Sequence, residues 1–257
     1  MIESRRTVPV WWGAYEYLAM AMGLGSLAAL CLVWMPLSLG LRLVLPVRVG
    51  RSLGRRAIAT GFRAYLWLLE RLCACRFDLA ALDALRHEHP LIVAANHPSL
   101  LDAVMIVSRL PEAVCVMKAS LMDNLLFGAA ARLACYIRND APLKMILDAR
   151  ENLARSAQLV IFPEGSRTRH FPVDACLPSV GLISARAGVP VQIVLIECST
   201  PYLGKAWPLF RRPELPLSFR LRLGPRLHPP GDLKAFAREL EASFRDALSP
   251  APQGVTA

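Results

Sequence analysis

Between Glu16 and Arg42 run 25 residues, Tyr17 to Leu41, without one charged side chain. A helix rising about 1.5 Å per residue carries such a run over roughly 37 Å, more than the roughly 30 Å hydrocarbon core of a bilayer. The stretch is therefore expected to be a membrane element that is not removed. It is too long for the apolar core of a signal peptide, and no A-x-A site follows before the next basic segment. Cys31 does not make a lipoprotein site, because Leu30 occupies the small-residue position before it. Pro36 and the pair Gly23 and Gly25 leave two geometries open, a span and a helical hairpin dipping into one leaflet.

Charge around this element predicts an orientation. Arg42, Arg48, Arg51, Arg55, Arg56 and Arg63 follow it with no acidic residue before Glu70, whereas only Arg5 and Arg6, offset by Glu3, precede it. The bias of basic residues towards the cytoplasm puts the rest of the chain on that side, with the arginines facing anionic headgroups. This run explains most of the net charge of +10. Nucleic acid is not an expected partner, because no basic helix interleaved with aromatics and no zinc-finger, RRM or homeodomain pattern is present.

The length of 257 residues accommodates one large domain besides the membrane element, and 54% hydrophobic residues fit an anchored enzyme better than a polytopic transporter. The expected division is a membrane anchor over residues 1–48, a basic interfacial segment over 49–76, a catalytic domain over 77–250 and a flexible tail over 251–257. Seven scattered cysteines, without a CxxC pair, read as reduced and mostly buried. His87-Glu88-His89 reads as a solvated turn before Pro90, and no metal is expected.

Within the interfacial segment, Phe62, Tyr65, Leu66, Leu69 and Leu72 fall at helical spacing and predict an amphipathic helix, on the membrane or packed on the domain. Beyond it, short apolar runs at Leu91–Ala95, Ala113–Met117, Leu159–Phe162 and Val191–Ile196 predict buried strands. Helices are expected near 100–108, 121–133 and 142–156. Phe219–Leu223 alternates like an edge strand, and Asp232–Leu248 predicts a closing amphipathic helix. The expected fold is α/β, a mixed and largely buried sheet covered by helices, preceded by a membrane helix or helical hairpin.

Two motifs fall at strand ends. Asn96-His97-Pro98-Ser99-Leu100-Leu101-Asp102 follows the first strand. A histidine suits the removal of a proton from a hydroxyl near neutral pH when a carboxylate holds its other ring nitrogen protonated. The i,i+5 spacing allows this only if His97 sits in a turn and Asp102 in the first helical turn, folded back. The same residues also read as a plain helix cap, since Ser99-x-x-Asp102 is a capping box. The second motif, Phe162-Pro163-Glu164-Gly165-Ser166-Arg167-Thr168-Arg169, ends another strand. Here Gly165 permits a close backbone turn, and Arg167 offers a guanidinium fork to a phosphate beside hydroxyl and amide donors from Ser166 and Thr168. A strand-ending turn with a solvated arginine accounts for Pro163 and Gly165 but not for the clustering of Glu164, Ser166 and Arg167.

An NHxxxxD block followed by FPEG[ST]R, here 67 residues apart from His97 to Glu164, resembles the paired signature of the glycerolipid and lysophosphatidic acid acyltransferases. The chain looks like a bacterial lysophospholipid acyltransferase-like member. The resemblance covers about residues 91–197. It implies that His97 is the general base and Asp102 its orienting partner, and that Glu164, Gly165 and Arg167 bind the acceptor, joined by Asn96, Ser166 and Arg138. Arg138 follows Tyr136-Ile137, but the glycine and phenylalanine of the family's block are missing there; Val189-Pro190-Val191 matches the fourth block without its second proline. These departures bear on the acceptor.

The implied reaction is direct transfer of a fatty acyl group from acyl-CoA or acyl carrier protein, a co-substrate with no further cofactor. The implied acceptor is a lysophospholipid, first of all 1-acyl-sn-glycerol-3-phosphate, at the cytoplasmic face of a bacterial inner membrane. Backbone amides near the first motif are expected to stabilise the oxyanion. A Ser-His-Asp hydrolase is disfavoured by the absence of a G-x-S-x-G elbow. A different lipid acceptor, or a silent lipid-binding scaffold, remains the alternative. The segment from Glu197 to Phe210, rich in aromatics, glycine and proline, reads equally as an acceptor loop and as a packed surface loop.

Overall fold

The structure, a computed structural model, describes residues 9–249. The expected tail over 251–257, and Arg5 and Arg6 of the charge argument, lie outside the described residues.

Alternation of short apolar strands with helices produces a seven-stranded mixed sheet. In chain order its strands are β1 (Cys75–Asp78), β2 (Leu91–Ala95), β3 (Ala113–Met117), β4 (Ile137–Arg138), β5 (Gln158–Ile161), β6 (Val191–Cys198) and β7 (Leu217–Leu227). Their spatial order is β1-β7-β6-β2-β5-β3-β4. The five strands from β6 to β4 run parallel, and β7 returns antiparallel beside β6. β1 then pairs parallel with β7.

β2 occupies the centre with all five residues buried. Its side chains alternate between two cores, as the pleat requires. Leu91, Val93 and Ala95 join a cluster with the helix α2 (Val47–Leu72) and with α3 (Asp102–Arg109). Ile92 and Ala94 join a second cluster beneath α6 (Pro142–Ala154), α7 (Ser179–Ala187) and α8 (Leu233–Leu248). In α8 the buried stripe is Phe236, Leu240, Phe244 and Leu248, and Asp232 caps the helix by accepting from Lys234 and Ala235 backbone N–H groups. The expected helix over 121–133 is two, α4 (Ala119–Asp123) and α5 (Leu125–Leu133). The chain breaks at Asn124, whose side-chain oxygen caps α5 through Leu126 and Phe127 N–H groups.

The apolar run forms most of one long helix, α1 (Val10–Val44), which continues through Pro36. A two-residue link at Leu45-Pro46 turns the chain into α2. The two helices lie antiparallel: Tyr15 Oη donates to the Leu72 carbonyl at 3.0 Å, and Gly61 faces Leu30. The hairpin bend thus lies at Pro46, not within α1, and the helix expected over 62–72 is the second half of a 26-residue one.

Both ends of this hairpin are tied to the sheet domain. Near the start of α1, buried Glu16 accepts from the Leu215 N–H at 3.2 Å and pairs with Arg212 at 3.1 Å. Near the start of α2, buried Arg55 donates to the carbonyls of Ala134 and Glu112 and to Asn152 Oδ1. Between these ties the second half of α1 leaves Leu32, Val33, Leu37, Leu43 and Val44 exposed. By length and composition α1 is able to cross a membrane.

Candidate active site

Because β2 and β5 are parallel neighbours, the two motifs leave the sheet side by side at its C-terminal edge, the usual place for sites in such sheets. At the end of β2 the Asn96 side chain turns sideways and pairs with the backbone of β6. Its Nδ2 donates to the Ile196 carbonyl at 2.9 Å, and its Oδ1 accepts from the Ile196 N–H at 2.8 Å. Asn96 is fully buried and continues the sheet hydrogen bonding for one more step, instead of facing the cleft where an acceptor would lie.

The chain then turns through His97 and Pro98, and Asp102 opens α3. The fold-back that the i,i+5 spacing demanded is present. Asp102 Oδ2 lies 2.8 Å from His97 Nδ1, and the same oxygen accepts from the Ser99 N–H at 2.8 Å. One carboxylate oxygen thus holds both the imidazole and the turn before α3, whose N-terminal cap position, Leu101, has no side-chain cap bond. Asp102 is fully buried, and its Oδ1 has no partner among the described residues. Burial pushes the Asp102 pKa up; the His97 bond and charge, the Ser99 N–H and the nearby Arg167 charge oppose that shift. A carboxylate only accepts, so Nδ1 carries the hydrogen and the basic lone pair lies on Nε2. The His97 side chain keeps 17% of its surface exposed, while Asp102 keeps none.

The second motif holds this histidine. Gly165 turns the chain with φ +67°, a left-handed conformation that favours glycine, and its N–H closes the turn on the Phe162 carbonyl at 3.0 Å. The Phe162 ring stacks on the His97 imidazole with centroids 3.9 Å apart and planes 16° from parallel. Thr168 N–H donates to the His97 carbonyl at 2.8 Å, and the His97 N–H is shared between Glu164 Oε1 at 3.0 Å and Thr168 Oγ1 at 3.2 Å. Glu164 is buried and further accepts from Thr168 Oγ1 at 2.8 Å and from the Asp174 N–H at 2.9 Å. Burial raises its pKa, and those three donors oppose the rise. Glu164 thus joins the two motifs to each other.

A third wall comes from the loop after β6. Ser99 Oγ donates to the Tyr202 carbonyl at 2.9 Å, and Leu100 N–H to the Leu203 carbonyl at 3.2 Å. Arg167 Nη1 donates to the Leu203 and Gly204 carbonyls at 2.8 and 2.7 Å. The segment from Glu197 to Phe210 therefore packs against both motifs. It also carries the exposed Leu209 and Phe210, near Trp207, which stacks edge-on with Tyr202.

Of the expected site residues, the structure brings together His97, Asp102, Glu164, Gly165 and Arg167. Ser166 lies in the same turn, with its hydroxyl on the Arg167 carbonyl at 3.4 Å. Arg138 does not join them. It ends β4 at the sheet edge, three strand positions from β2, and its guanidinium is held by Asp123 and Asp140. The expected oxyanion amides are also partly committed, since the His97 and Ser99 N–H groups already donate within the motifs. Thr168 and Phe162 emerge as positioning residues; both stand inside the second motif, but its pattern alone does not say that they touch the histidine.

The fold and this cluster define an α/β protein that presents a histidine–carboxylate pair beside an arginine at the C-terminal edge of its sheet. Residues 76–197, just under half of the chain, match the family model of the acyltransferases. No curated protein matches it by sequence. Among solved structures it is similar to the 1-acyl-sn-glycerophosphate (LPA) acyltransferase PlsC of Thermotoga maritima, at 15% identity and a TM-score of 0.65. That match covers 93% of this chain and 98% of the other, and it supports the mixed α/β fold with its long N-terminal helix.

Proposed function

We propose that this protein transfers a fatty acyl group from a thioester, acyl-CoA or acyl carrier protein, to the hydroxyl of a lysophospholipid-type acceptor at a membrane surface. The first acceptor to test is 1-acyl-sn-glycerol-3-phosphate. The observation that carries the reading is the His97–Asp102 contact, which leaves Nε2 as the base.

In this mechanism the acceptor O–H gives its proton to His97 Nε2 as its oxygen attacks the thioester carbonyl carbon. The carbonyl π electrons move to oxygen, giving a tetrahedral oxyanion. As these collapse, the C–S bond breaks, the ester forms, and the imidazolium returns its proton to the departing thiolate. Asp102 stabilises the imidazolium between the two transfers, and Phe162 presents an aromatic face to it. Only one Arg167 terminal nitrogen is bonded to the loop carbonyls, so the rest of its fork is the cation offered to an acceptor phosphate. Glu164, Thr168 and Asn96 position this machinery without touching substrate.

We read α1 as lying in one leaflet, not crossing. Glu16 near its beginning contacts the sheet domain, and Gly50, six residues past its end, packs by Leu133 of α5, followed by the Arg55 ties, an arrangement at odds with two ends separated by a bilayer. The exposed Leu32–Val44 side is the surface offered to lipid.

The test is a transfer assay with radiolabelled acyl thioester and a panel of lysolipids. Label in a diacyl product supports the reading. Label released only as free fatty acid, with no acceptor product, contradicts it.

A further inference from the structure

At the opposite edge of the sheet from His97 lies a cavity of about 210 Å³. Its walls include Arg48, Arg51, Arg55, Arg155, His89 and Glu112. Ala157 and His89 sit just before β5 and β2, and Glu112 just before β3, so the cavity opens at the N-terminal ends of the three central strands. Strands of four and five residues, at about 3.3 Å each, put roughly 15 Å of sheet between it and the two catalytic motifs. It is therefore no part of the site described above.

Four arginines line this space against one carboxylate, and that carboxylate is already held by Arg56 at 2.6 Å. Arg155 pairs with Glu151 at 2.6 Å. Arg55 is buried yet bonded only to two carbonyls and an amide oxygen. Burial lowers its pKa, and the charge of Arg51 lowers it further. Arg48 and Arg51 have no carboxylate partner among the described residues. Such excess positive charge around a partly enclosed space stabilises an anion, and guanidinium forks match phosphate oxygens in particular. The cavity is many times larger than the space one water needs, room for a phosphate. Immediately before and among these arginines, Leu43, Val44, Val47 and Val49 are exposed, so an amphiphile with its phosphate in the cavity would have apolar surface beside it.

We propose that this cavity is a second, non-catalytic phosphate-binding site, occupied by an anionic phospholipid headgroup or by a water-soluble phosphate ester. The chemistry is common to both sources, and the experiment separates them. Full-length protein in detergent is titrated with inorganic phosphate and with glycerol 3-phosphate. The same protein is floated with phosphatidylcholine vesicles with and without phosphatidate. Both are repeated with the R48Q/R51Q double variant and with Arg63→Gln, an exposed arginine elsewhere on α2, as the charge control. Arg55 is left intact because its three backbone and side-chain contacts hold the fold.

The double variant is expected to lose about tenfold in affinity, as removal of charge-assisted hydrogen bonds implies, with an unchanged melting temperature. Loss confined to phosphatidate vesicles identifies a lipid headgroup; loss that includes the soluble phosphates identifies the phosphate group itself as sufficient. No loss in either arm beyond that of Arg63→Gln overturns the proposal, because charge on α2 then acts diffusely. Acyl transfer is not used as the readout, so failure here leaves the catalytic assignment untouched.

Discussion

Thr168 brackets the peptide of His97: its N–H donates to the His97 carbonyl at 2.8 Å, and its hydroxyl lies 3.2 Å from the His97 N–H. Two segments 71 residues apart are thereby locked in register, and the imidazole between them is held against Phe162. Thr168→Val keeps the shape and removes the hydroxyl, which also donates to Glu164. Loss of these buried contacts is expected to cost about 1–3 kcal/mol of stability. With His97 less firmly oriented, kcat should fall about tenfold while the acceptor KM changes little; Thr168→Ser should recover most of both. Steady-state kinetics beside thermal melts check the split.

Asp102→Asn tests the dyad. The amide cannot stabilise an imidazolium by charge and permits the wrong ring tautomer, so transfer is expected to fall by about 10²–10⁴-fold. Burial holds the Asp102 pKa above its ordinary value of 3.8. As pH falls, Asp102 therefore takes up a proton before an ordinary carboxylate would, and activity should be lost on the acid side above that value. The pH–rate profile of the Asn variant should be low throughout, without this contribution to the acid limb.

Glu164 has a stability signature of its own. Its folded-state pKa is raised above the ordinary 4.5 by burial, so the folded protein binds this proton more tightly than the unfolded chain. The sign follows: the contribution is fully favourable below about 4.5 and is lost as pH rises through the folded value. Glu164→Gln, neutral at every pH, should flatten that limb of the melting temperature profile. It also gives up at least one of the acceptor contacts to His97, Thr168 or Asp174, so kcat should fall as well.

Arg167→Ala is expected to raise the acceptor KM at least tenfold with the donor KM unchanged, because its free guanidinium edge faces the acceptor in this account. Arg138→Ala should do much less, since Asp123 and Asp140 already hold that side chain at the sheet edge. A donor-side effect of Arg167→Ala, or an Arg138→Ala effect as large, would reverse the two assignments.

Much of this arrangement was legible from residues alone, for identifiable reasons. β2 and β5 are buried throughout and β3 and β6 over most of their length, so all four read as largely apolar runs; α8 displays its Phe236–Leu248 stripe and its Asp232 cap openly. β4 has only two residues, and β1 only the four of Cys75-Arg76-Phe77-Asp78, so the alternation in β1 is too short to stand out. The first half of α2 is rich in arginine and lacks the apolar stripe that marks Phe62–Leu72, and it also carries Gly50 and Gly54. Their missing side chains admit close packing: a Cβ at Gly54 would lie 3.0 Å from the Ala134 backbone nitrogen. At the site, residue type and spacing pointed to His97 and Asp102. They did not tell that one Asp102 oxygen bonds both the ring and the Ser99 N–H, or that Glu164 turns inward to join the motifs. The Glu164 contact depends on β2 and β5 being neighbours, a long-range pairing with no local trace.

The most direct measurement is single-turnover acyl transfer by purified full-length His97→Gln, with radiolabelled thioester and lysophospholipid presented in vesicles and folding confirmed by a melt. Loss of the diacyl product by about 10²-fold or more, with thioester binding retained, is the expected result. Transfer at the wild-type rate by the folded variant would show that His97 is not the base and would contradict the account.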